Sequence, residues 1–229
     1  MRGDDGAAEM ARLAGALADR TRAAFCLALL DGRAWTAGEL ARHGGVARST
    51  ASEHLDRLVA DGLFVEERQG RHRYVRLADH EVAELVEHLS ARAPQPVSRT
   101  ASLRDATKHS ALARGRTCYD HLAGALGVGV TAAMTDRGLL DGWAVTAAGH
   151  AWLVDRGVDV ESARAGRRPF VRPCLDWTQR RPHLAGAVGA ALCRRCFDAG
   201  WIERIGTGRA VRLTPPGQRM ISSSLQHEF

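Results

Sequence analysis

The sequence predicts a mainly α protein with small β-hairpin wings, built as an N-terminal winged helix-turn-helix followed by a C-terminal α+β domain of two related winged-helix-like repeats. Three observations carry this prediction. Apolar residues recur at helical spacing through the first ninety or so positions and are interrupted at glycine turns. An arginine-rich turn between two strand-like runs follows those helices at once. The second half repeats itself: His121-Leu122-Ala123-Gly124-Ala125-Leu126-Gly127 returns as His183-Leu184-Ala185-Gly186-Ala187-Val188-Gly189.

Met10, Leu13 and Leu17 put one apolar stripe on a helix over Ala7 to Ala18. Asp19 or Thr21 can cap the next helix, Arg22 to Leu30, which stops at Asp31-Gly32. Thr36 with Glu39 three residues on is a capping box for a short helix reaching His43, ended by Gly44-Gly45. Ser49 to Ala60 is the next helix, closed by Asp61-Gly62. Phe64 to Glu67 and Tyr74 to Leu77 read as strands, with Arg68 to Arg73 as the turn between them. Asp79 to Ser90 returns to helix through Val82, Leu85, Val86 and Leu89.

Two prolines within Ala93-Pro94-Gln95-Pro96-Val97-Ser98 mark a boundary. The expected domains are 1–92 for DNA binding and dimerisation, 93–117 as a linker and connecting helix, and 118–229 as an effector-sensing domain. Within the last, Met134 to Leu140 aligns with Cys196 to Ile202, and Val145 to Gly149 resembles Leu213 to Gly217. A hairpin is expected from Trp201 to Leu213, turning at Gly206-Thr207-Gly208. Two copies are too few for a solenoid, so a compact pseudo-twofold domain is expected.

The chain has 229 residues and a formal net charge of +6, with Lys108 its one lysine among many arginines. That balance permits a polyanionic partner, and arginine suits bidentate phosphate and guanine contacts. Arginine-biased codon usage is the competing explanation. No apolar run approaches the ~20 residues of a membrane span, and the acidic first ten residues are no secretory signal, so a cytoplasmic protein is expected.

Thr36 to Ala41, the Gly44-Gly45-Val46 turn and Ser49 to Leu58 together have helix-turn-helix syntax. Leu40, Val46, Ala51, Leu55 and Leu58 bury one face, which leaves Arg48, Ser49, Thr50, Ser52, Glu53 and His54 exposed near the start of the second helix. Small hydroxyls there allow close approach to base edges, and the helix amides favour phosphate. Arg68, Arg71, His72, Arg73 and Arg76 then form a basic wing able to reach flanking phosphates or the minor groove. A plain helical hairpin with solvated charges is the alternative.

On Leu17 to Arg22, Glu39-Leu40-Ala41, the Ser49 to Leu58 run and Asp61-Gly62-Leu63-Phe64, residues 11–90 resemble the ArsR family of winged-helix repressors. The resemblance implies a homodimer formed by the first and last helices of this region, a double-stranded DNA operator of two half-sites, and release on effector binding. Metal-sensing members carry a cysteine pair just after the Glu-Leu, where this chain has Ala41, Arg42 and His43. The alternative site on the last helix begins here with Asp79 and His80 but meets Ser90 and Arg92 where further ligands belong. The second half resembles the C-terminal extension of a subset of actinobacterial-type ArsR proteins, and the resemblance names no effector for it.

Five dispersed cysteines, Cys26, Cys118, Cys174, Cys193 and Cys196, argue against a disulfide framework. Cys118 and His121 stand at i and i+3, read as one helix face, and with Cys174 and His183 they offer the donors of a tetrahedral metal site. Buried small thiols with capping or core imidazoles, or a thiol or small-molecule sensor, are the other readings. Cys193-Arg194-Arg195-Cys196 looks like a CxxC motif, but its repeat partners Thr131 and Met134 favour a core role over a redox one. Trp177, Arg180, Arg181 and His183 are candidates to line a pocket for an anionic or aromatic ligand. No phosphate-binding glycine loop, GxSxG or HExxH is present, so no enzyme and no certain cofactor is expected. The remaining alternatives to an effector-released repressor are a low-specificity architectural DNA binder and a DNA-targeted enzyme.

Overall fold

Side-chain caps and the left-handed glycines Gly32, Gly45 and Gly62 cut the N-terminal chain into its helices. The computed structural model describes residues 4–70, 72–93, 103–206 and 208–225. It divides into two compact units, 1–86 and 87–229. In the first unit α1 (Asp4–Leu17) gives way to α2 (Arg20–Leu29) at Asp19, whose carboxylate accepts from Arg22 N at 2.9 Å. After β1 (Trp35–Thr36), the predicted capping box starts α3 (Ala37–Gly44): Thr36 Oγ1 accepts from Glu39 N, and the Glu39 carboxylate accepts from Thr36 N at 2.7 Å. Gly45, at φ 66°, ends it. Then come α4 (Arg48–Ala60), β2 (Phe64–Gln69) and β3 (His72–Leu77). β2 and β3 pair antiparallel from Phe64↔Leu77 to Gln69↔His72, and β1 joins the far edge of β3. Phe25, Leu29, Leu40, Leu55, Leu58, Phe64, Val75 and Leu77 are buried beneath this sheet and its helices.

The wing is longer than the sequence suggests. Its strands continue through Arg68↔Arg73 and Gln69↔His72, so the turn shrinks from six residues to Gly70 and position 71, the latter outside the described residues. Gly70, at φ 58°, supplies the left-handed step that so tight a turn needs. α5 (His80–Arg92) follows, with Asp79 accepting from Val82 N at 2.9 Å. The division between the units falls inside α5, not at the proline pair, which lies outside the described residues.

The second unit takes in α6 (Leu103–Arg114) and β4 (Arg116–Cys118), most of which the sequence reading placed in a connecting stretch. It continues β5 (His121–Ala123), α7 (Gly124–Asp136), β6 (Leu140–Asp141), β7 (Ala144–Val145), α8 (Ala147–Asp155) and α9 (Val160–Ala165). The second copy is β8 (Arg172–Leu175), β9 (Pro182–Ala185), α10 (Gly186–Asp198), β10 (Ile202–Arg204), β11 (Val211–Leu213) and α11 (Pro215–Leu225). Each copy is therefore hairpin, helix, hairpin, helix, with every hairpin antiparallel. Each long helix also packs on a helix ahead of it, α7 on α6 and α10 on α9, so each copy adds an inserted hairpin to the helix, helix, hairpin order expected from the sequence. The structure corrects the helical reading of Cys118 to His121, which is the turn of β4–β5, with Cys118 and His121 as cross-strand partners.

The copies interlock. α7 packs on β9 and α10 packs on β5, so the helix of each copy lies across the other's strand. Thr131 Oγ1, on α7, accepts from Leu184 N on β9 at 2.8 Å. Close approach within each copy depends on equivalent glycines: a Cβ on Gly127 would stand 2.3 Å from the Leu122 carbonyl oxygen, and one on Gly189 would stand 2.6 Å from that of Leu184. The core between the helices holds Leu126, Val130, Met134, Leu153, Val188, Leu192 and Ile221.

Gly189→Ala is accordingly expected to destabilise the second unit by roughly 1–3 kcal/mol, the usual cost of overpacking against fixed backbone. Gly15→Ala, with nothing within 4 Å of the added methyl, serves as the control and should be neutral or mildly stabilising. Urea unfolding followed by circular dichroism tests this, and equal midpoints for both variants would contradict it.

Candidate functional site

α4 carries the features of a DNA-reading helix. Ala47 at its N-cap offers no side-chain hydrogen bond, so the first-turn amides are open to an anion. Arg48, Ser49 and Glu53 are exposed and Thr50 and Ser52 half-buried, while Ala51, Leu55 and Leu58 face the core. His54 is not where the sequence reading put it. Its side chain is only 19% exposed, its Nδ1 lies 3.3 Å from Arg22 Nη1, and its ring meets Phe25 edge-on at 6.3 Å. The signal was available: position 54 is three residues after buried Ala51 and four before buried Leu58, the rim of the core face.

The wing sorts its cations into two kinds. Arg68 is 75% exposed with only a distant carboxylate, Glu66 at 3.8 Å, and His72 is exposed near the tip. Arg73 is drawn inward, to Glu66 at 2.5 Å and to Asp56 of α4 at 2.7 Å, so its charge is already matched. It braces the wing against α4. Arg71 lies outside the described residues. Behind α4, the buried Asp61 holds both Arg57, at 2.7 Å, and Arg12 of α1. Sequence reasoning missed these braces, since ion pairs between distant elements leave no spacing to read.

In the second unit, the structure brings the four proposed effector residues to one point. Cys118↔His121 and Cys174↔His183 are cross-strand partners in β4–β5 and β8–β9, and β5 packs against β9. One ligand atom from each of the four residues lies within 4.8 Å of the others, all four side chains are buried, and Cys118 Sγ stands 3.7 Å from Cys174 Sγ. Behind the imidazoles sit two carboxylates. Asp120 Oδ1 is 3.1 Å from His121 Nδ1 and is itself paired with Arg168. Asp176 Oδ2 is 3.6 Å from His183 Nδ1. Asp176 is held by Arg116 Nη2 at 2.9 Å and by the amides of Gly124, Thr178 and Gln179 at 2.6–2.9 Å.

The cluster is poised electrostatically. Burial alone would raise the Asp176 carboxyl, but the Arg116 charge and the amide donors hold it down at about 2. Hydrogen bonding from the Cys118 thiol, helped by the two imidazoles, outweighs burial at Cys174 and favours its thiolate, while burial pushes Cys118 well up. Burial lowers His121, yet Asp120 and the Cys174 sulfur lift it to about 9. Even so, His121 Nε2 and both ring nitrogens of His183 are buried without a hydrogen-bond partner.

The other candidates in this unit do not assemble. Cys193 and Cys196 are buried on α10, and burial raises both thiols, Cys196 to about 12, as suits core residues. Arg180 and Arg181 are exposed whereas His183 is fully buried, so they do not line one pocket; Trp177 instead lies under Arg116, 4.8 Å from its guanidinium.

Residues 17–68 match the helix-turn-helix domain family HTH_20. The uncharacterized HTH-type transcriptional regulator YdfF of Bacillus subtilis is 39% identical over 213 residues, 91% of this chain and 93% of its own length. The chain belongs to the HTH-type transcriptional regulators. Its N-terminal unit is a winged helix-turn-helix. The HTH-type transcriptional regulator CmtR of Mycobacterium tuberculosis is 46% identical over 74 residues, 32% of this chain and 62% of CmtR. The solved NMR structure described as the cadmium metal-sensor CmtR is 38% identical and covers 42% of this chain and 99% of that one, with a TM-score of 0.33. The family assignment rests on YdfF, which alone of these spans both units of this regulator. No helix among the described residues is long and apolar enough to cross a membrane.

The two kinds of wing cation should separate in DNA binding. Arg73→Ala is expected to speed amide exchange along β2 and β3 while leaving the salt slope of DNA binding unchanged. Arg68→Ala should flatten that slope by about one ion. Binding titrations at several salt concentrations check both, and a flattened slope for Arg73→Ala would show that its charge reaches phosphate.

Proposed function

We propose that this regulator is a homodimeric, sequence-specific repressor that binds a double-stranded DNA operator and is released by an effector held in the second unit. The observation that carries the DNA-reading half is the uncapped, polar N-terminus of α4 beside the exposed wing cations. Arg48, Ser49, Thr50, Ser52 and Glu53 read base edges. Arg68, Arg71 and His72 engage flanking phosphates or the minor groove, and His54 and Arg73 hold the helix and wing in place. Dimerisation by the first and last helices of the winged region is supported by exposed apolar side chains there, Met10 on α1 at 73% and Leu89 on α5 at 48%. In this reading the protein acts in the cytoplasm as a transcriptional regulator and carries no catalytic role.

Cys118, His121, Cys174 and His183 are the effector site in this reading. A route to α5 exists within the second unit. Thr117 N, beside Cys118, donates to the Arg209 carbonyl at 2.9 Å, and Arg209 Nη1 pairs with the buried Glu87 carboxylate of α5 at 2.5 Å. A rearrangement at the cluster therefore shifts a strand tied to a helix that the resemblance assigns to the dimer.

A repressor favours its operator over random DNA by ~10³-fold or more. Ser52→Ala and Arg48→Ala are expected to cut that ratio, chiefly by losing operator affinity, whereas Arg71→Ala should weaken operator and random DNA about equally. Selection of bound sequences from a random pool, followed by titration of the selected site, gives both numbers. Equal losses on both DNAs for all three variants would favour a low-specificity architectural binder.

A further inference from the structure

Four buried polar groups converge in the second unit, and three of their nitrogens have no partner. Leaving such groups unsatisfied costs free energy at each one. An apolar core role for the cluster does not account for them. A disulfide does not either: it would join the sulfurs and leave both imidazoles unpaired, and 3.7 Å is far beyond a bond of about 2.05 Å.

We propose that Cys118, His121, Cys174 and His183 bind one tetrahedral divalent cation of the zinc class, and that this ion is the effector. With metal–sulfur bonds of about 2.3 Å, a tetrahedral site places its two sulfurs about 3.8 Å apart, close to the 3.7 Å between Cys118 Sγ and Cys174 Sγ. Two thiolates and two imidazoles suit zinc, cobalt or cadmium and reject magnesium and calcium, which require oxygen. The carboxylates complete the pattern. Asp120 at His121 Nδ1 and Asp176 near His183 Nδ1 leave the two Nε2 atoms for the ion, the carboxylate–histidine–metal arrangement that orients such ligands. Asp176 is fixed in turn by Arg116 and Gly124 N, so this outer ring is rigid before any ion arrives. Two thiolates neutralise the dication, which removes the cost of burying its charge.

The ligands come in one pair from each repeat copy. A single ion thus bolts β4–β5 to β8–β9 across the pseudo-twofold interface, and the second half of the proposal, that this changes DNA binding, rests on the repressor reading above.

The test uses the full-length chain, purified reduced and metal-free. Titrated Co²⁺ should bind with one ion per chain and develop the intense ligand-field and thiolate charge-transfer absorption of a tetrahedral S₂N₂ site. Cys174→Ser and His183→Gln should each lose that spectrum, and Cys193→Ala should keep it. Should the ligand variants fail to fold, alkylation mapping on the wild-type chain decides: Zn²⁺ must shield Cys118 and Cys174 while leaving Cys26 unchanged. No stoichiometric cobalt spectrum, no shielding, or a Cys118–Cys174 disulfide in place of metal uptake overturns the site. One equivalent of Zn²⁺ should then weaken binding to the selected operator at least tenfold. Stoichiometric cobalt with unchanged operator affinity keeps the site and overturns its role as effector.

Discussion

The second unit depends on the near approach of helix to strand at Gly127 and Gly189. Neither position tolerates a Cβ without displacing backbone, and the lack of one lets α7 and α10 lie tight against the start of their own copies. From there each helix reaches over the other copy's strand, and β5 comes to rest on β9. The cysteine–histidine cluster is a product of that packing. A cross-strand Cys–His pair on one hairpin is unremarkable alone; two such pairs brought together by a pseudo-twofold interlock make a four-donor centre.

A buried ion pair reinforces the same interface. Arg116 and Asp176 are both fully buried, one from each copy, and replacing them by apolar groups would often cost a protein nothing. Here Asp176 has further duties. It accepts from Gly124 N, where α7 begins, from the turn after β8, and it faces His183. The pair therefore sets the distance between the copies and the orientation of an imidazole at once, which gives a charged group reason to stay in a core.

The winged helix solves a different problem, which is how to keep cations available in a domain that also uses arginine structurally. Arg12, Arg22, Arg57 and Arg73 are each engaged, with Asp61, His54 and backbone carbonyls, or with Asp56 and Glu66. Arg48 and Arg68 remain exposed on α4 and the wing. Net charge alone does not distinguish these two groups.

Local chemistry by itself determined the winged helix. The Thr36–Glu39 capping box, the Asp19 cap, the Gly45 stop and the apolar spacing of α4 act within a few residues of each other, so they are legible in the chain and appear as read. The internal repeat was legible for the same reason, since His121 to Gly127 and His183 to Gly189 encode one strand-to-helix junction twice. Only the tertiary structure decided what long-range pairing controls. At the fixed offset of that repeat, Cys118 aligns with Arg180; its true counterpart, Cys174, emerges from strand pairing, because the β8–β9 turn is longer than the β4–β5 turn. The inward turn of His54 and Arg73, and the convergence of two hairpins on one buried centre, likewise depend on contacts between residues far apart in sequence, where spacing carries no information.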